Sequence, residues 1–294
     1  MLPSPLPLPV DTDDAALTQA LERNTAELLL RMGDAGGGHR RSDAVSWTLG
    51  GSPLDYHNAV VAADLDAQSV EAAIRESLDT LRHARLPGSW HVGPSMRPTD
   101  VRKRLEHAGF AVDGDEPGMA ARLHSVVPVT APDLHVEVVR TASALEEWIL
   151  ALGSGFGEGP REAEWVGEMF RRIGLEHPDW RHLLARREGR VVGTATLLLA
   201  AGVGGLYFVM TAPDARRQGI GSQITRAAMR IAADAGMNHA ILTSSVMASR
   251  CTRQSGSGRS APSICTPGGR IDLARARSSR RPLVARNEKG LRSA

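Results

Sequence analysis

Seven consecutive residues, Arg216-Arg217-Gln218-Gly219-Ile220-Gly221-Ser222, set two arginines and two glycines before an amphipathic helix. Ile224, Ala227, Ala228, Ile231 and Ala235 recur at helical spacing until Gly236 closes that helix, so the glycines fall on its N-terminus. The first turn of a helix has N–H groups without intrahelical acceptors and carries the positive end of the macrodipole. Side-chain-free glycines let a bulky anion reach those groups. The chemistry this spacing suits is diphosphate binding, with Arg216 and Arg217 adding charge at the rim. Two other phosphate turns do not fit. A dinucleotide turn needs a third small residue where Ile224 stands and an acidic residue where Ile241-Leu242-Thr243 stand. A P-loop needs a lysine after Gly221, where Ser222 stands.

The turn has to be positioned by a strand. Leu206 to Met210 is an apolar and aromatic run of strand length, stopped by Thr211, Ala212, Pro213 and Asp214. This strand, R-x-x-G-x-G turn and helix resemble the acetyl-CoA motif of the GNAT N-acetyltransferase superfamily, with Arg216, Gly219 and Gly221 at its fixed positions. The resemblance implies acetyl-CoA as cosubstrate. It also implies that the strand diverges from the next one, His239 to Ser244, with the acyl-pantetheine arm in the gap. Cofactor contacts are then expected from Val209, Thr211, Arg216, Arg217, Gln218, Gly219, Ile220, Gly221, Ser222 and Ser244. By the same resemblance the Val209 N–H is the expected stabiliser of the oxyanion, where a fixed donor acts most strongly.

Direct transfer to an amine calls for a base to deprotonate the amine and an acid to protonate the leaving thiolate. The family's usual acid is a tyrosine on a helix after the strand His239 to Ser244, and the chain has none there. Glu158, Glu164, Glu168, His177 and His182 are candidate bases, each more readily read as a solvated loop or helix face. Tyr207 can serve as acid only if its side chain faces the cleft. Trp148, Trp165, Trp180 and Phe156 are either an acceptor wall or, at helical spacing, core. No Cys/His cluster has metal-ligand spacing, so no metal is expected.

At 294 residues the chain is long enough for two domains, and a hydrophobic fraction of 42% is globular. No apolar run reaches membrane-spanning length, and the proline-rich start, MLPSPLPLPV, reads as a disordered or extended lead-in rather than a signal peptide. A cytoplasmic protein with no membrane contact is expected. Helices are expected over Asp13 to Met32, before a flexible Gly36-Gly37-Gly38, and over Ser69 to Arg85. A third follows Thr99 as cap, with Val101, Leu105 and Ala108 inside. Strands are expected at Val45 to Leu49, Tyr56 to Ala63 and Trp90 to Pro94. This order resembles a degenerate GNAT domain over residues 1–130 without the R-x-x-G-x-G turn. Val126 to Pro132 reads as a linker. The second domain, 134–247, opens with a strand at His135 to Arg140 and a helix to Leu152 with Ser143 as cap and Glu146 completing a capping box. After the loop from Gly153 to Pro160 come a helix from Glu162 to Leu175 and a hairpin of His182 to Arg187 with Val191 to Ala200. The implied fold class is α/β (α+β), two GNAT-like domains each with a mixed, mostly antiparallel sheet flanked by helices.

The net charge of +2 hides an asymmetry: from Ala248 on there are eleven Lys or Arg against two acidic residues, Asp272 and Glu288, so the body is acidic and the tail basic. The tail, 248–294, holds both cysteines, has no Phe, Trp or Tyr and reads as irregular. The family needs a tyrosine-bearing helix, a Gly-Phe turn and closing strands at this point. One permitted choice of codons, shifted by one base after Met247, reads Val-Tyr-Glu, then Gly-Phe, then a closing strand. The tail is therefore expected to be a frameshift product, which would leave edge strands unpaired. The function expected is acetyl transfer to a small-molecule amine by a monomer or homodimer. The alternative is a non-catalytic acyl-CoA-binding protein. Nucleic-acid binding by the tail is disfavoured, since its charge is sparse and it carries no groove-reading motif.

Overall fold

The structure, a computed structural model, describes residues 6–40, 42, 44–125, 133–243 and 267–273. The expected linker 126–132 and Ser244 lie outside them. Of the lead-in, Leu6 to Val10 is tied down: Leu8 N–H donates to the Gly202 carbonyl at 3.0 Å, and Asn238 Nδ2 donates to the Leu8 carbonyl at 2.8 Å.

Asp13 starts the first helix, α1 (Asp14–Gly36), by accepting the Ala16 N–H on its carboxylate at 2.8 Å. The helix does not stop at Met32. It runs on until Gly37 adopts a φ of 99° and Gly38 N–H reaches back to the Gly33 carbonyl, so two of the three expected flexible glycines form its C-terminal cap. Then come β1 (His39–Arg40), β2 (Val45–Thr48), β3 (Ala59–Ala63), α2 (Val70–Ala84), β4 (Ser89–Val92), α3 (Val101–His107) and β5 (Phe110–Arg122). Tyr56, expected in a strand, lies in the single turn Asp55–His57 that precedes β3. Asp100, not Thr99, precedes α3, and its carboxylate accepts from Arg104 Nε at 3.0 Å.

The remaining elements are β6 (His135–Val138), α4 (Ala142–Gly153), α5 (Pro160–Ile173), β7 (Trp180–Arg187), β8 (Arg190–Ala200), β9 (Val203–Thr211), α6 (Ile220–Asp234), β10 (His239–Thr243) and β11 (Pro267–Leu273). The cap of α4 is Thr141, whose hydroxyl accepts the Ala144 N–H at 3.2 Å. The expected capping box on Ser143 does not form, because Glu146 instead takes both ends of the Arg171 guanidinium, at 2.9 and 2.8 Å.

The strands form two mixed sheets flanked by helices, joined through β5 in the order β1-β2-β3-β4-β11-β5-β10-β9-β8-β7-β6. The same pattern occurs twice. An antiparallel meander ends in a strand that pairs parallel with the next one across a helix, β3 with β4 across α2 and β9 with β10 across α6. The outer edge of each second strand is then covered by an antiparallel strand from far along the chain. Residues Gly118 to Arg122 of β5 cover β10, and β11 inserts between β4 and the first part of β5. The expected unpaired edge at β10 is thus filled. Within the tail read as irregular, β11 is a strand because main-chain pairing with two neighbours needs no alternation of side chains.

The cores follow this layering. Trp148, Trp180, Phe170 and Leu184 pack with Leu28 and Met32 of α1 on one face of the second sheet, and Ile224, Ala228 and Ala232 of α6 pack on the other. Trp90, Ile74 and Leu105 centre the first sheet. α1 links the two: its fully buried Asn24 donates through Nδ2 to the Ala200 carbonyl at 2.8 Å and accepts the Tyr207 hydroxyl on Oδ1 at 2.7 Å.

Candidate active site

β9 and β10 pair only at Gly204 with Ala240 and Gly205 with Ile241. Beyond that point β9 continues to Thr211 along β8 alone, so a gap opens between the parallel strands and widens toward the N-terminus of α6. Within the gap β9 carries a bulge. Its register against β8 slips between Thr194 and Thr196, Phe208 takes a φ of 51°, and Val209 has no partner in the register of either neighbouring strand. Positive φ at a phenylalanine is uncommon and has to be held by its surroundings. Here Thr194 Oγ1 donates to the Phe208 carbonyl at 3.0 Å, and Trp148 Nε1 donates to the carbonyl of Ala195, the residue opposite the bulge, at 3.3 Å. Nothing in the local sequence marks Phe208 for this conformation, and sequence reasoning missed it.

At the wide end, Pro213–Ala215 form a single turn, and Arg217 and Gly219 then take left-handed φ values of 63° and 78° before α6 starts. The first intrahelical bond is from the Gln223 N–H to the Gly219 carbonyl at 3.1 Å. The Gly219 and Gly221 amides make no hydrogen bond among the described residues, the normal state of a first helical turn. Gly219 is exposed and a Cβ there would meet nothing within 4 Å, while at Gly221 it would meet only Thr211 Oγ1, at 3.2 Å. Space for a bulky anion therefore lies over these amides. Ile220 differs from its neighbours in being buried, at 1% exposure, so it can offer its backbone alone.

The arginines divide their work. Arg216 donates to the Thr211 carbonyl at 3.3 Å and the Gly155 carbonyl at 3.0 Å, tying the loop before α5 to the end of β9. Arg217 is exposed. Gln218 accepts from Arg187 at 2.6 Å and donates to the Asp214 carbonyl at 3.3 Å. Ser222 is half-buried on the first turn of α6, beside the half-buried Gly221.

The proton-transfer candidates fall elsewhere. Tyr207 is buried under α1, and desolvation raises its pKa above the ordinary phenol value although Thr25 partly opposes this, so it does not face the gap. His182 is not solvated. Burial pushes its pKa down to about 3, and its Nδ1 pairs with Thr196 Oγ1 at 2.9 Å among the rings of Trp148, Phe170 and Trp180. Burial also lowers the pKa of His177, whose Nδ1 accepts the Asp179 N–H at 3.2 Å. Glu168 is held low by hydrogen bonding to Arg172, and Glu158 and Glu164 are exposed. None of the five has a hydrogen bond or ion pair to β9 or β10 among the described residues. Of the aromatic wall, Trp148 and Trp180 are core. Trp165 stacks on His57 with ring centroids 4.5 Å apart, and Phe156 and Trp148 meet the bulge, 5.6 and 6.0 Å from the Phe208 ring.

Comparisons with known proteins agree with this geometry. Residues 144–251 match the acetyltransferase (GNAT) family. A GCN5-related N-acetyltransferase from Kribbella flavida superposes with a TM-score of 0.65 at 19% identity, over 85% of this chain and 95% of that one. One from Sphaerobacter thermophilus gives 0.54 at 18% identity, over 70% and 69%. A glucosamine N-acetyltransferase region of a fungal multi-domain GH3 beta-N-acetylglucosaminidase gives 0.59 at 13%, over 77% and 31%. At these identities the likeness concerns the fold alone. No curated protein matches the sequence. The splayed strands and the open helix N-terminus lie inside the segment, 144–251, that matches the GNAT acetyltransferase family.

Proposed function

We propose that the chain is an acetyl-CoA-dependent N-acetyltransferase acting on an amine of a small molecule. The observation that carries this reading is the bulge at Phe208 and Val209 on the strand that splays from β10, one turn away from the uncapped N-terminus of α6. In this reading the amides of Gly219 to Ser222, with Arg217, hold the diphosphate, and Thr211 and Val209 border the pantetheine arm. The amine nitrogen attacks the thioester carbonyl, the Val209 N–H stabilises the oxyanion, and the C–S bond breaks as the thiolate leaves. Arg216 acts through position, bracing Gly155 against Thr211.

The twofold strand pattern supports a tandem arrangement in which the first half is a degenerate copy. In that half the loop after β3, Asp64 to Ser69, lacks glycine, and Asp66 Oδ1 accepts the amides of Gln68 and Ser69 at 2.9 and 2.7 Å. A carboxylate there occupies the donors that a diphosphate would need. The end of the family match at residue 251, just past Met247, supports a shifted reading frame in the tail. Sequencing the coding DNA across codon 247 tests this, and bases incompatible with the shifted reading reject it.

A second reading, an acyl-CoA-binding protein without turnover, is favoured by the burial of Tyr207 and His182 away from the gap. Calorimetry with acetyl-CoA and thiol release over a panel of amines separate the two. Transfer predicts binding, an amine-dependent release of thiol, and binding weakened at least about tenfold by Gly221→Val, which crowds the diphosphate turn. Binding without thiol release selects the second reading, and no heat with acetyl-CoA removes both.

A further inference from the structure

A cavity of about 330 Å³ lies where β3 and β4 part. The two strands pair at Ala59 with Ser89 and Val60 with Trp90, then separate and meet again only at the bridge of Asp64 with Arg97. Between these points the segment after β4 swings outward in a turn closed by the Met96 N–H on the Gly93 carbonyl. The cavity is the counterpart, in the first half, of the gap between β9 and β10.

Its lining does not suit an acyl-CoA. Asp66 closes the neighbouring helix start with its carboxylate, and three hydrogen bonds, the strongest from the Ser69 hydroxyl, keep that carboxyl below its ordinary pKa and so ionised. A diphosphate would meet a fixed negative charge there. The walls are apolar, with Leu21 and Ala26 of α1 facing Val61 and Val92. Glu22 also lines the cavity, and the Ser95 N–H, donating to its Oε1 at 3.1 Å, fixes where that carboxylate sits. Asp64 adds a second negative charge, against one positive charge on the exposed Arg23. Thr243, two residues beyond the last pairing of β10 with β9, lines the same cavity. The cavity thus shares a wall with the acyl gap.

We propose that this cavity binds the amine acceptor, a largely apolar primary amine of about ten non-hydrogen atoms, with its ammonium group on the Glu22 carboxylate and its body between α1 and the parted strands. The assignment rests on the N-acetyltransferase reading for the acceptor role, and on the cavity for the amine site. It concerns the binding step, in which a neutral-pH amine arrives protonated.

The test is calorimetry on the full chain with 2-phenylethylamine, with 2-phenylethanol as the uncharged control and acetyl-CoA titrated separately. The wild-type chain is expected to bind the amine at one site and at least about tenfold more tightly than the alcohol. Glu22→Gln keeps an oxygen for the Ser95 N–H and removes only the charge. It should abolish the preference for the amine while leaving the acetyl-CoA isotherm unchanged. Ala62→Trp, at an exposed position on the cavity lining, should block both small molecules without lowering the melting temperature. Amine binding that is absent in the wild type, or equally tight in Glu22→Gln, overturns the proposal whether or not acetyl-CoA binds. Amine binding lost in Glu22→Gln, in a chain that gives no heat with acetyl-CoA, keeps the amine site and removes the acceptor role along with the transferase reading.

Discussion

His182 is 3% exposed and neutral, with Thr196 as its partner, and its pKa is driven down to about 3 by burial. The unfolded chain protonates this histidine near its ordinary value of about 6.5, so below that pH the unfolded state binds a proton that the folded state refuses. Its contribution to stability is therefore complete above about pH 6.5 and declines as pH falls toward 3, by at most about 5 kcal/mol over the full window. Denaturant melts of the wild type and His182→Gln at pH 7 and pH 4.5 check this. The variant is expected to lose less stability on acidification than the wild type, and equal losses would show that His182 is not the group being protonated. The histidine is a packing residue on an aromatic face, and activity that titrates near neutrality has to come from another group.

Between residues and fold, the bulge of β9 is the element whose shape bears most on function. The Phe208 and Ala195 carbonyls are taken by Thr194 and Trp148 from the buried side, and Phe208 and Val209 are the two residues of the bulge without a register partner on β8. Thr194→Val removes the hydroxyl while nearly preserving shape. It should cost about 1–3 kcal/mol of stability, the usual penalty for a buried carbonyl left unpaired. If the Val209 N–H serves the oxyanion, kcat should fall by at least about tenfold while the acetyl-CoA dissociation constant stays within about twofold, since the diphosphate turn is untouched. Equal losses in both would place the bulge in binding rather than in the chemical step.

At the scale of the molecule, β5 is the strand that makes two sheets one. Its first residues pair with β11 beside the first sheet, and Gly118 to Arg122 complete the second by pairing along the whole of β10. α1 adds a second link by burying Leu29 and Leu30 with Val61 of β3 while Leu28 and Met32 pack with Trp148 and Trp180. With a shared strand and a shared helix, neither half can open without exposing core of the other. Thermal unfolding is therefore expected as one calorimetric transition, and Ala121→Pro, which removes a ladder donor opposite Ala240, should destabilise it by about 3 kcal/mol or more without splitting it. Two resolved transitions would mean that the halves are independent.

What the sequence determined by itself was whatever depends on neighbours along the chain. The strand Leu206 to Met210, the glycines on the first turn of α6, the cap at Asp13 or Asp14, the close at Gly236, and the alternation of strands and helices are local, because propensity, periodicity and backbone freedom act over a few residues. Tertiary structure alone decided the rest. It put Tyr207 and His182 in the dark, since burial is set by α1 and by α4 with α5 packing over the sheet. It placed the bulge at Phe208, whose positive φ is held by Thr194, and it brought β5 across to β10 from more than a hundred residues away. It also joined Glu22 of α1 to the parted strands β3 and β4 around a cavity that no stretch of sequence contains. Each of these is a contact between segments distant in sequence, and the free energy of such contacts is paid only after the chain has folded, so no local pattern records them.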